Sequence, residues 1–166
     1  MERMRMGPLG YNHVYDKATE WDETGRKAIS LIIVSFDNHS ARSIQFGFVE
    51  NGELVMSKTY GSSGCSKRVI RLNHETEFVT GISGVMDEGI SSLTFHTNLR
   101  AHEAFHLKLN RGEKACPPEK REFHSGILDR SEFEGFFGYS DEYRLLTINF
   151  YVRHNFSDVK TIKEEK

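Results

Sequence analysis

Over residues 134–152, EGFFGYSDEYRLLTINFYV, the side chains of Leu146, Ile148 and Phe150 alternate with those of Thr147, Asn149 and Tyr151. A period of two describes a strand with one face in a core, whereas a helix repeats its apolar residues every three to four. The pattern recurs along the chain. Ile44, Phe46 and Phe48 alternate with Gln45 and Gly47, Leu93 and Phe95 oppose Thr94 and His96, and Phe105, Leu107 and Leu109 alternate with His106, Lys108 and Asn110. Residues 28–36, AISLIIVSF, are β-branched and apolar with Ser30 and Ser35 as polar members, which predicts a largely buried strand.

Turn chemistry separates these runs. Asn51-Gly52 is a two-residue hairpin signal, because both central positions of such a turn take positive φ. Residues 37–40, 61–64, 73–75 and 86–89 are polar or Gly-rich connections, and the polar turn at 139–144 leads into the last strand. Residues 111–120, with Pro117-Pro118, read as an exposed loop, residues 7–25 carry little periodicity, and His102 and Glu103 fall in the turn before the Phe105 run. Ten to twelve short strands at near-regular spacing imply an all-β sandwich, barrel or prism, and the pattern leaves these three open. A single domain over residues 1–155 and a charged, disordered tail over 156–166 are expected.

Composition narrows the function classes. Twenty-two basic against 24 acidic residues leave a net charge of −2, so no general basic field draws the chain to nucleic acid or to acidic membranes. No run approaches the ~20 apolar residues of a membrane-spanning helix, and MERMRM at the start lacks the apolar centre of a signal peptide. Cytoplasm or nucleus is the expected location. There Cys65 and Cys116 are expected as free thiols, and the sequons at Asn38 and Asn155 carry no meaning.

Catalytic constellations are weak. His102-Glu103-Ala104-Phe105-His106 matches H-E-x-x-H, whose zinc chemistry needs a helix to bring both histidines to one face. The alternation of Phe105, Leu107 and Leu109 says strand, on which residues four apart are separated by roughly 13 Å. Asp22-Glu23 and Asp141-Glu142 are adjacent pairs with no spacing that sets them across a cleft. No enzyme activity, cofactor or metal is expected.

Five landmarks in order carry a family resemblance: Gly7-Pro8-Leu9-Gly10, residues 21–25 (WDETG), residues 43–48 (SIQFGF), residues 78–84 (FVTGISG) with 90–98 (ISSLTFHTN), and Gly135-Phe136-Phe137-Gly138. Together they resemble the plant jacalin-related lectins, of the mannose-type subfamily. The resemblance implies a β-prism of three four-stranded Greek-key sheets about a pseudo-threefold axis. It also implies a carbohydrate site where three loops meet at one end of the prism, and a mannose-type oligosaccharide or glycoprotein as partner. Family members commonly dimerise, so a homo-oligomer is among the expected partners.

Carrying the family's site onto this chain places Ala18, Val85, Asp141, Glu142, Tyr143, Arg144 and Leu146 in it. Sugar recognition needs a carboxylate accepting from neighbouring hydroxyls, backbone N–H groups as donors and an aromatic face against C–H. The resemblance puts Tyr143 and Arg144 at the two donor positions and Leu146 at the central acceptor, normally Asp. Ala18 stands where a sugar-contacting Gly is expected. The site is therefore expected to be degenerate. Losing the charged acceptor costs on the order of 2–3 kcal/mol, a factor of ~30 to 150 in affinity. The alternative is a protein-interaction module that kept the prism and lost the sugar.

Overall fold

A computed structural model describes residues 3–10, 18–24, 28–86, 89–106, 121–126 and 131–154. Every regular element among them is a strand. In chain order these are β1 (Arg3–Gly10), β2 (Thr19–Glu23), β3 (Ile29–Phe36), β4 (Ala41–Glu50), β5 (Glu53–Met56), β6 (Tyr60–Gly61), β7 (Ser66–Arg71), β8 (Val79–Met86), β9 (Ile90–Thr97), β10 (Ala101–His106), β11 (Arg121–His124), β12 (Ser131–Ser140) and β13 (Thr147–His154).

They form three antiparallel sheets. The first has the order β1-β13-β12-β2, the second β5-β4-β3-β7 and the third β10-β9-β8-β11. The second sheet departs from a plain four-stranded plan, because β6 also pairs with β4 and its edge is split in two. Ser57 makes the break. Its hydroxyl accepts from the Phe46 amide at 2.9 Å and donates to the Lys58 carbonyl at 2.7 Å, so a side chain takes a ladder position.

The alternating apolar residues meet along the axis between the sheets. Phe136 of the first sheet stacks on Phe46 of the second at 5.1 Å and receives Phe95 of the third edge-on at 5.8 Å. All three are buried, with Ile32, Ile44, Ile82, Leu93 and Ile148 around them. Each fully buried side chain of this size contributes ~1.5–3 kcal/mol of transfer free energy, and that burial holds the prism closed.

The paired strands at the centre of each sheet are hairpins, β3–β4, β8–β9 and β12–β13. Asn51 and Gly52, with φ of 51° and 80°, make the tight turn from β4 to β5 that their sequence predicts. Two expectations are corrected. Residues 7–25, which show little periodicity, contain the second half of β1 and all of β2, edge strands whose pairing comes from β13 and β12. His102 and Glu103 belong to β10, not to a turn before it. A bulge between Glu103 and Phe105 interrupts the alternation that would have shown the strand. The loop at 111–120 and the tail at 156–166 lie outside the described residues, as do Leu107 and Leu109.

At the base, where β8 begins and β9 ends, Glu77 is 3% exposed. Its carboxylate accepts from the Thr97 hydroxyl at 2.7 Å, the His102 ring at 2.9 Å and the Asn73 amide at 3.2 Å. Burial pushes the Glu77 carboxyl up, and these bonds outweigh it, holding the carboxyl below its ordinary value. His102, half of the H-E-x-x-H match, is thus a structural partner of Glu77, while His106 is an exposed strand residue. Among the described residues no group of three or more His, Cys, Asp or Glu is placed to hold a metal ion.

Candidate carbohydrate site at the rim

The three hairpin turns emerge together at the end of the prism opposite Glu77. Leu145 N donates to Ala41 O at 3.0 Å, tying the β12–β13 turn to the β3–β4 turn. A side-chain carbon added at Gly89, in the β8–β9 turn, would lie 3.0 Å from Arg144 Cδ and 3.3 Å from Ser40 Cβ. The absence of a side chain at Gly89 therefore lets the three turns close on one another.

The turn from β12 to β13 is shorter than the sequence predicts. β12 runs on to Ser140, and Ser140 bridges Leu145, so residues 141–144 alone turn the chain. Asp141 organises them. Its Oδ1 accepts from the amides of Tyr143 and Arg144, each at 2.8 Å, and its own amide donates to the Arg144 carbonyl at 3.1 Å. Arg144 Nε lies 3.7 Å from Asp141 Oδ2. Asp favours such turns because its short carboxylate reaches the amides two and three residues on.

The β3–β4 turn repeats the arrangement. Asp37 Oδ1 accepts from His39 N at 2.7 Å and Ser40 N at 3.0 Å, and Oδ2 accepts from Arg42 Nη1 at 2.9 Å. Burial raises the Asp37 carboxyl, but the His39 and Ser40 amides and the Arg42 guanidinium hold it below its ordinary value overall. Asp37, Ser40 and Gly89 are rim residues outside the seven expected from the sequence. The signal was present in the shared spacing, an Asp followed two and three residues later by the amides it caps and by a buried Ala41 or Leu145.

The seven expected site residues are distributed unevenly. Asp141, Glu142, Tyr143 and Arg144 form the turn itself, with Glu142 exposed and Tyr143 63% exposed. Ala18 precedes Thr19, which pairs with Ser140, so it stands beside this turn. Val85 lies one residue before the end of β8, half-buried, its carbonyl accepting from Ser91 Oγ at 3.1 Å. Leu146 is 1% exposed, and its amide donates to Tyr139 O at 2.9 Å. Its side chain lies beneath the turn and offers nothing to a ligand.

The amides of Tyr143 and Arg144 are thus bonded to Asp141, and the Leu146 side chain is buried.

Residues 6–151 match the jacalin-like lectin domain. The chain belongs to the jacalin-like lectin family. Jacalin-related lectin 24 of Arabidopsis thaliana is 40% identical over 167 residues, 98% of this chain and 73% of that protein. Protein RESTRICTED TEV MOVEMENT 1 of the same plant is 33% identical over 159 residues, 90% of this chain and 87% of that protein. Among solved structures, Calystegia sepium agglutinin superimposes with a TM-score of 0.73 at 24% identity, covering 93% of this chain and 99% of that one. A mannose-binding jacalin-related lectin from Ananas comosus gives 0.68 at 21% identity, covering 92% and 98%. This jacalin-like domain therefore has the β-prism fold, and its family is one of carbohydrate-binding lectin domains. Among the described residues no helix is long and apolar enough to cross a membrane.

Proposed function

We propose that this jacalin-like domain is a non-catalytic carbohydrate-binding module, of mannose or glucose type, with a degenerate site at the rim formed by Ala18, Val85 and residues 141–144. The observation that carries the reading is the Asp141 carboxylate sitting on the Tyr143 and Arg144 amides. A hexose oxygen has to displace that carboxylate to reach the two donors, and the buried Leu146 supplies no acceptor in return. Binding of a neutral monosaccharide is accordingly weak, with the missing acceptor alone worth a factor of ~30 to 150. A mannose-type oligosaccharide or glycoprotein is the proposed ligand, recognised through several weak contacts.

Calorimetric titration with methyl α-mannoside tests this. The wild-type chain should bind in the millimolar range, and Asp141→Gly, which frees two amides, should tighten binding by a factor of ~2 to 10, the worth of one modest hydrogen bond. Flat titrations for both would reject the sugar reading.

A second reading has one observation behind it. Tyr143 is 63% exposed at the apex of the turn, an aromatic of the kind that anchors protein interfaces. On that reading the rim docks a protein, and Tyr143→Ala abolishes capture of that protein while mannoside titrations stay flat.

A further inference from the structure

The second sheet ends at β5, and the outer edge of this four-residue strand is open among the described residues. Ser57 N donates to Phe46 O at 2.8 Å, one step beyond the Gly47–Met56 pair of the β4–β5 register. Backbone groups alternate sides along a strand, so Val55 and Glu53 also point theirs toward β4, and Leu54 and Met56 point theirs away. The other side of β4 agrees. Val49, opposite Leu54, donates its amide at 3.0 Å to Ala28 O, just before β3.

The same two residues carry exposed apolar side chains, Leu54 at 56% and Met56 at 37%. Both lie over Gly47, where an added carbon would meet Leu31 Cβ at 2.9 Å, Met56 Sδ at 3.0 Å and Leu54 Cδ1 at 3.2 Å. Gly47 thus makes room for a flat apolar plate on the outer face of the sheet. An open edge with exposed apolar residues is a template for another strand.

We propose that β5 pairs with β5 of a second copy of this chain, antiparallel about a two-fold axis at Val55. In that register Leu54 faces the partner's Met56, and Met56 faces the partner's Leu54. The two pairs exchange four backbone hydrogen bonds, and apolar side chains meet apolar side chains with no like charges opposed. Charge separates this edge from the opposite one. On β7 the exposed alternation is Lys67, Val69, Arg71, so a two-fold about Val69 would set Lys67 against the partner's Arg71. Arg68 Nη1 also donates to Glu103 O at 3.1 Å, fastening β7 to the neighbouring sheet. A single self-pairing at β5 satisfies both strands at once, which a charged or polar foreign strand does not. Strands run oppositely across the axis, so the two rims of the dimer point apart. On the sugar reading, from which the pairing itself is independent, such a dimer bridges glycans on two separate surfaces.

Sedimentation equilibrium of the full chain from about 1 to 500 µM, the range suited to a small strand-pairing interface, should show a monomer–dimer equilibrium. Leu54→Lys with Met56→Lys sets lysine against lysine at both pairs and should weaken the dimer at least ~10-fold. Leu54→Lys with Met56→Glu sets each lysine against a carboxylate and should restore it. In the wild-type chain the Leu54 and Met56 amides should exchange with deuterium more slowly as concentration rises, which needs no variant to fold. A monomer throughout, a dimer indifferent to the double lysine variant, failure of the lysine–glutamate variant to recover, or exchange at Leu54 and Met56 that ignores concentration would each overturn the pairing.

Discussion

The base and the rim of the prism use the same chemical device, a carboxylate that caps backbone amides, under opposite degrees of enclosure. At the base Glu77 is 3% exposed and bonded to groups from one turn and two strands, Asn73, Thr97 and His102. At the rim Asp141 and Asp37 cap only the turns that contain them, with half-buried arginines beside them. A carboxylate enclosed by distant parts of the chain is committed to stability. One that closes its own turn at the surface holds amides that a ligand can compete for.

The sharpest way to break this contrast is under the rim turn. Leu146→Asp should place an unpaired charge in the core and cost several kcal/mol, seen as a large fall in the denaturant midpoint. A stable variant that gains mannoside affinity would show that Leu146 belongs to the surface site, and the rim would then be an intact site lacking one residue.

Glu77→Ala should follow, at about 2–4 kcal/mol, because it takes the carboxylate acceptor from the His102 ring and the Asn73 amide and leaves the Thr97 hydroxyl only the Arg100 carbonyl. Its effect should be pH-dependent. The folded-state carboxyl lies below its ordinary 4.5, so the native state binds the proton less readily than the unfolded chain. The stability it contributes is therefore present above about 4.5 and lost as pH falls through the folded value. Chemical denaturation from pH 7 to 3 should show wild type converging on Glu77→Ala at the acid end. Parallel curves would mean that Glu77 is not the titrating staple.

The smallest effect should be at the rim. Asp141→Ala is expected to cost only ~1 kcal/mol, the worth of a local turn hydrogen bond, while changing sugar titrations. If it destabilises as much as Glu77→Ala, the two ends do not differ in the way described, and Asp141 is a structural staple.

Much of the fold was legible. The alternation at Phe46, Phe48, Phe95, Ile148 and Phe150 named core faces that are buried, and Asn51-Gly52 named its turn. The edge strands β1 and β2 were not legible, because an edge strand pairs through its backbone and needs no alternating side chains. His102 was likewise hidden. A bulge broke the alternation of β10, and its partner Glu77 lies 25 residues away in sequence.

At the rim the resemblance set residues 141–144 and Leu146 in one expected site, and the structure has 141–144 in a single turn with Leu146 buried next to it. Only the tertiary structure decided how the remaining groups are used. That Asp141 bonds the Tyr143 and Arg144 amides, that Gly89 lets Ser40 and Arg144 close together, and that Leu145 leans on Ala41 all depend on three hairpins from three sheets arriving at one point. Periodicity reports which way a side chain faces within its own strand. Which strand ends share a corner is set by the packing of Phe46, Phe95 and Phe136 at the axis, residues at least 41 positions apart that no local pattern connects.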